Sequence, residues 1–352
     1  MQFLKADDRT HLQIANNQTW KQCSEYTLPC MNRLAILALF LTMIGVAASQ
    51  QSESPATAPA TSQQEPAAVP AANPGNLVLT WSEIEKNIWQ KAKPYIDLAP
   101  PEIEKQVPEL DHVSWAASQD ELPSILAGVG AQCVNLLKRT PNVIGDERVE
   151  THSAQFVRHE RYNYLVLVSH TQEGSTLKEY RSDPRGTPVP ESAGSAAQGF
   201  ASMWTRFFPG NQSESRFRYL GTQKLEKQEV AVVAFAQIPD KVKAPAEFAV
   251  GRRRISILFQ GIAWIDPQSW RVLRLREDLL APRPDAQLTR FTARAQYGQV
   301  KLKKAQAAMQ VEMTLWLPQE ADLSWTLGAR EEKERHVYSN YRLYATKSKI
   351  VF

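Results

Sequence analysis

The sequence predicts a mainly β protein of the α+β kind: one antiparallel sheet of about eleven strands, a short helical N-terminal region and a single inserted aromatic helix. Two observations carry this expectation. Beyond residue 143 apolar and polar residues alternate with a period of two almost to the C-terminus, and Gly, Pro, Asp and Asn punctuate the alternation at strand-length intervals. The pattern is clearest where Phe291, Ala293, Ala295 and Tyr297 lie on one face of a strand and Arg290, Thr292, Arg294 and Gln296 on the other. Such a strand buries one face and wets the other, as in a meandering antiparallel sheet.

Taken in order, strands are expected at 144–152, 162–170, 177–181, 217–223, 230–237, 254–266, 271–279, 288–300, 311–317, 323–330 and 335–345. Ahead of them, residues 81–115 read as helical, with Ile84, Ile88 and Trp89 on one stripe and Ser82 as N-cap, until Pro94, Pro100, Pro101 and Pro108 cut the region into pieces. A second helix is expected over 122–137, carrying Ile125, Leu126, Val129, Val134 and Leu137 and stopping before Pro141. The inserted helix, 196–208, has a stripe of Phe200, Met203, Trp204, Phe207 and Phe208 and should end at Pro209-Gly210.

The front of the chain reads as an export signal. Arg33 precedes the apolar run Leu34–Val46, and the small residues that follow place Val46 and Ala48 at the two cleavage-recognition positions. Residues 31–48 are therefore the expected signal peptide, Met31 the expected initiator, and residues 1–30 an upstream extension. Residues 49–75, rich in Pro, Ala, Gln and Ser, cannot bury enough surface to offset their ordering entropy and read as a disordered tether. A helical prelude (76–120) and a β domain (121–352) follow, with no transmembrane span once the signal is removed, which predicts a periplasmic or secreted protein. Cys133 is then the one cysteine of the mature form, expected as a buried, inert thiol.

Composition narrows the function classes. Apolar residues at 43% and charged residues at 22% suit a folded globular protein, and the net charge of +4 comes from basic residues scattered along strands. A nucleic-acid binder would concentrate them, so nucleic acid is not expected as a partner. The runs Arg252–Arg254 and Lys301, Lys303, Lys304 read as solvated strand faces or edge protection.

The order of elements, with the phrases GIAWIDPQSWRVLRLRED (Gly261–Asp278), LWLPQEADL (Leu315–Leu323) and RHVYSNYRLY (Arg335–Tyr344), resembles exported bacterial proteins that share the half-barrel of the LolA and LolB type outer-membrane lipoprotein carriers. The resemblance spans roughly residues 120–345. It implies a strongly curved sheet with a concave apolar face able to hold acyl chains, of a lipid or a lipoprotein. The first phrase is itself a hairpin, turning through Asp266-Pro267 and returning through Leu273 and Leu275.

Three functions are weighed. The first is a non-enzymatic envelope protein that binds or carries a lipid-like ligand, with Trp204, Phe207 and Phe208 from the helix and Phe291 and Tyr297 from the sheet as contacts. The second is an interaction or scaffold protein of the envelope whose sheet is filled and whose partners are envelope proteins. The third is a serine hydrolase, since Ser175-Thr176-Leu177-Lys178 matches Ser-x-x-Lys and Tyr338-Ser339-Asn340 mimics the second element of penicillin-recognising serine enzymes. Ser175 falls in an expected hairpin turn, however, where a catalytic serine would open a helix. No catalytic residue, metal ligand or cofactor is assigned, although His152 and His159 are placed to meet across a hairpin with His170 nearby. The dense aromatics Trp264, Trp270, Trp316, Trp325, Tyr338, Tyr341 and Tyr344 are read as packing.

Overall fold

A computed structural model of the protein describes residues 14–16, 81–171, 174–189, 200–250, 253–306 and 309–344, so the expected signal segment and tether lie outside the described residues. Fourteen strands are present among them: β1 (Ile14–Asn16), β2 (Ser114–Trp115), β3 (Val143–Ser153), β4 (Val157–Thr171), β5 (Gly174–Ser182), β6 (Ser215–Leu225), β7 (Gln228–Gln237), β8 (Ala246–Val250), β9 (Arg253–Ile257), β10 (Phe259–Ile265), β11 (Val272–Leu279), β12 (Leu288–Gln306), β13 (Met309–Leu327) and β14 (Arg330–Leu343). Eleven of them form one sheet in the order β2-β6-β7-β10-β11-β12-β13-β14-β3-β4-β5, and β1, β8 and β9 form a second. The large sheet is antiparallel at every pairing and does not close, giving the half-barrel that the sequence predicts.

Several elements differ from expectation in extent. The single strand foreseen at 254–266 is two, β9 and β10, in different sheets, and β8 was not foreseen. Two strands foreseen at 311–317 and 323–330 are one continuous β13. Pro318 sits inside it beside a register shift at Gln296/Tyr297 of β12, where a missing amide donor is tolerated. Arg253 and Arg254 are exposed on β9, an edge of the small sheet, in keeping with edge protection.

The helices show why their residues were chosen. Helix α1 (Glu83–Gln90) opens on a capping box in which Ser82 accepts from Glu85 N and Glu85 reaches back to the Ser82 amide. Of its expected stripe only Trp89 is buried, while Ile84 is 61% exposed. Helix α2 (Pro100–Gln106) begins at its prolines, where a missing N–H costs nothing. Helix α3 (Leu122–Arg139) buries Ile125, Val129, Cys133 and Leu137 as foreseen. Of the expected aromatic helix, residues 196–199 lie outside the described residues; in the remainder Met203–Phe207 is a 3₁₀ helix, Phe208 is extended, and Pro209 starts a new helix, α4 (Pro209–Gln212). A 3₁₀ turn eclipses residues three apart, which puts Trp204 and Phe207 on the same side, both buried.

The sheet is covered on both faces where β7 and β10 lie, and every residue of β10 is buried. On one face α1, α2 and their connecting turns bring Trp89, Tyr95, Ile103, Val107 and Leu110 against Val230, Val232, Ala234, Ile262 and Trp264. On the other, α3 and residues 200–207 cover Ala231, Val233, Phe235, Ala263 and Ile265. The helical prelude is therefore a brace on the outer face, tied to it by β2, which pairs with β6 at Gly221.

Gly221 has φ of +129°, and a Cβ there would lie 1.9 Å from the Ser114 carbonyl oxygen. Gly328 has φ of +60°, with the Gln287 side chain at 3.1 Å as its nearest neighbour. Gly221→Ala should thus cost more than the roughly 1–3 kcal/mol of a strained backbone alone, because it also unseats β2. Equilibrium urea unfolding should show a large drop in midpoint for Gly221→Ala and a small one for Gly328→Ala.

Candidate binding face

The inner face of the half-barrel is lined by inward positions of β3 to β7 and β10 to β14, and the buried residues of 200–207 pack in the same cluster. This segment adds no strand to the sheet. It is held instead by a few polar contacts inside the core. Glu179 on β5 accepts from the Ala201 amide at 3.0 Å and the Ser202 amide at 2.9 Å, and also from the Tyr164 hydroxyl. Tyr297 donates its hydroxyl to the Phe200 carbonyl at 2.6 Å. Arg206 pairs with Glu277 on β11 through two of its nitrogens, and its guanidinium lies 5.1 Å from the Phe259 ring centre. The Cys133 thiol donates to the Trp204 carbonyl at 3.5 Å, and burial pushes its pKa up, so it is the inert thiol expected.

Next to Phe200 lies a buried charged cluster. Arg181 donates to Glu147 at 2.5 and 2.7 Å, Tyr338 donates to Glu147 at 2.8 Å, and His336 sits 2.9 Å from Glu147 and 3.2 Å from Glu334, one carboxylate at each ring nitrogen. Arg181 Nη2 also lies 3.3 Å from His336 Nδ1. With His336 protonated, Arg181 and His336 balance Glu147 and Glu334, which is the condition for burying four charges. Burial pushes Glu147 up, but the Arg181 guanidinium and the His336 hydrogen bond outweigh it and hold the carboxyl down at about 2. Burial likewise pushes His336 down, and the hydrogen bonds to Glu147 and Glu334 outweigh it to raise its pKa above the ordinary value. At Glu179 burial wins over its hydrogen bonds, and the pKa is raised.

The residues named from the sequence are brought together in part. Trp204, Phe207, Phe291 and Tyr297 share one buried cluster, at 3%, 0%, 2% and 4% exposure, and Phe208 packs against it half-buried. Phe207 contacts Phe217 and Phe235, whereas Phe291 contacts Phe248 and Phe259, so the aromatic lining extends beyond the named residues. Sequence reading missed Glu147, Glu179, Arg181, Arg206, Glu277, Glu334 and His336. Their signal was present: Glu147 shares the inward register of Val143 and Val149, and Glu179 that of Leu177.

The hydrolase reading does not survive the geometry. Ser175 and Lys178 are three apart on one strand, β5, which points them to opposite faces, and the Ser175 hydroxyl instead contacts His170 at 2.7 Å. Asn340 donates to Asp146 at 2.9 Å on the outer side. His152 and His159 both lie beside Glu150, away from His170 at the far end of β4. Trp264 and Trp325 are buried and Trp270 and Trp316 half-buried, as packing residues should be. No helix among the described residues is long and apolar enough to cross a membrane.

No protein-family model matches the sequence, and no curated protein matches it. Solved structures do. A Vibrio parahaemolyticus domain described as an outer membrane lipoprotein-sorting protein matches 64% of this chain and 95% of its own, at 11% identity and a TM-score of 0.34. A DUF1329 family protein from Desulfovibrio piger matches 65% and 95%, at 9% identity and a TM-score of 0.34. A LolA superfamily protein from Nitrosomonas europaea matches 63% and 94%, at 9% identity and a TM-score of 0.30.

The cluster around His336 gives stability a defined pH dependence. His336 has a folded pKa above 6.5, so its contribution is complete below pH 6.5 and is lost as pH rises through the folded value. Glu147 is lowered from 4.5 to about 2, so its contribution is complete above pH 4.5 and is lost as pH falls toward 2. Thermal midpoints measured against pH should decline on both sides of this window. His336→Gln should shallow the decline on the alkaline side, leaving the part that comes from the raised pKa of Glu179, and should lower stability by about 3–5 kcal/mol, for a broken buried pair.

Proposed function

We propose that this chain is an exported envelope protein that holds or carries a lipid-like apolar ligand, an acyl chain being the simplest, on the inner face of its half-barrel. One observation carries the reading. A segment outside the sheet ladder, residues 200–208, lays aromatic side chains onto the apolar inner face and is held there by discrete polar anchors at Glu179, Tyr297 and Glu277. An occupant held by a few anchors can be exchanged for a ligand of the same chemistry without unmaking any strand pairing. In this reading Trp204, Phe207 and Phe208 give way while Phe291 and Tyr297 stay as the lining. The burial of Trp204 and Phe207 supports a second reading, a scaffold whose interior is permanently filled and whose partners are envelope proteins.

Native mass spectrometry with lipid extraction, on protein purified gently from a bacterial periplasm, separates the two. The carrier reading expects a co-purifying acyl species that increases in Arg206→Gln, where an anchor of the segment is lost, and disappears when Phe291 is made polar. A clean apo mass for the wild type and for Arg206→Gln would transfer the weight to the filled scaffold.

A further inference from the structure

Away from the inner face, the turn after α1, the end of α2 and the adjoining ends of β10, β11 and β12 enclose an open cleft of about 570 Å³. Its lining includes Lys91, Lys93, Lys105, Arg276 and Arg290, with Asp278 as its one carboxylate. That is an excess of four positive charges in one cleft, equal to the net charge of the whole chain, +4. The carboxylate is already committed. Asp278 receives Arg276 through two nitrogens, at 2.7 and 3.0 Å, and the Thr292 hydroxyl at 2.6 Å. Arg276 is further tied to Glu109 at 2.6 Å. Among the described residues, Lys91, Lys93, Lys105 and Arg290 have no carboxylate partner, and all four are exposed.

Four unpaired cations around one concavity repel each other, and the repulsion is relieved by an anion that enters. A single carboxylate would leave most of the excess uncompensated, whereas a phosphate monoester brings close to two charges and three acceptor oxygens. Three ammonium groups on flexible stems follow a phosphate's several oxygens without demanding one orientation, and a guanidinium can engage two of them at once. The remaining wall, Leu279 to Pro282, is largely apolar and leaves room for what the phosphate is attached to.

We propose that this cleft binds a phosphate monoester through Lys91, Lys93, Lys105 and Arg290. The phosphate belongs either to a free small molecule or to a lipid headgroup, and the site is independent of what occupies the inner face. Two probes decide it on the full protein at low salt: calorimetric titration with inorganic phosphate, and co-sedimentation with phosphatidylcholine vesicles with or without phosphatidic acid. Lys93→Gln with Lys105→Gln should weaken the binding by about tenfold or more, from the usual worth of charge-assisted contacts. Lys333→Gln, a remote surface lysine paired with Glu331, should leave it unchanged. Binding of inorganic phosphate lost in the double variant identifies a soluble ligand. Selective pelleting with phosphatidic acid alone, lost in the same variant, identifies the headgroup. Failure of both probes to bind, or equal binding by the wild type and the double variant, overturns the proposal.

Discussion

Strands β7 and β10 are buried on both faces, and the rest of the molecule follows from that. A strand pair flanked by partners on both sides and covered above and below has no wet side, so its residues read as continuous apolar runs, Val230–Ala236 and Ile262–Ile265. Each face then needs its own cover. Helix α3 and the aromatic segment supply one, and α1, α2 and their turns supply the other. Few polar groups enter this slab, and most of them are paired, the buried Trp89 Nε1 being an exception: Trp264 Nε1 donates to Gln223 at 2.7 Å, Gln223 to the Glu109 and Asp111 carbonyls, and Gln260 accepts from the Tyr95 amide at 2.7 Å. The prelude is thus wired to the sheet by hydrogen bonds as well as by apolar contact.

The opposite end of the sheet solves a different problem. There the inner face carries charge, and Glu147, Arg181, Glu334 and His336 are buried as a balanced set. Such pairs add little net stability against an apolar filling, since desolvation offsets most of the attraction. They do impose geometry. A register slip of one residue in β3 or β14 would send Glu147 or His336 to the solvent face and leave its partner buried without compensation. The same logic applies to Glu179 and Glu277, which fix where the aromatic segment can sit.

Much of the fold was legible because it rests on period and punctuation. The alternation around Phe291–Tyr297, the hairpin at Asp266–Arg271 and the capping residue Ser82 each act locally, and each appears where the sequence placed it, except that Thr292 of the expected wet face is buried against Asp278. The aromatic segment was misjudged in form because a stripe spaced by three and four residues is shared by α and 3₁₀ turns, and because Pro209 opens a helix as readily as it closes one. The binding face was half legible. Apolar members declare themselves by hydropathy, whereas Glu147 and His336 are 189 residues apart and meet only through the pairing of β3 with β14. No local pattern announces a partner at that distance.

That pairing also sets an order of assembly. Strand β14 lies between β13 and β3 in the sheet, yet it follows every other described strand along the chain. Until residues 330–343 have emerged, β3, β4 and β5 form a separate patch with β3 as an open edge, and β13 is an open edge as well. Both halves must wait with their hydrogen-bonding groups exposed for a strand inserted between them. A chain cut short before β14 would carry two sticky edges, each able to pair with another molecule, so the sheet itself distinguishes finished chains from unfinished ones.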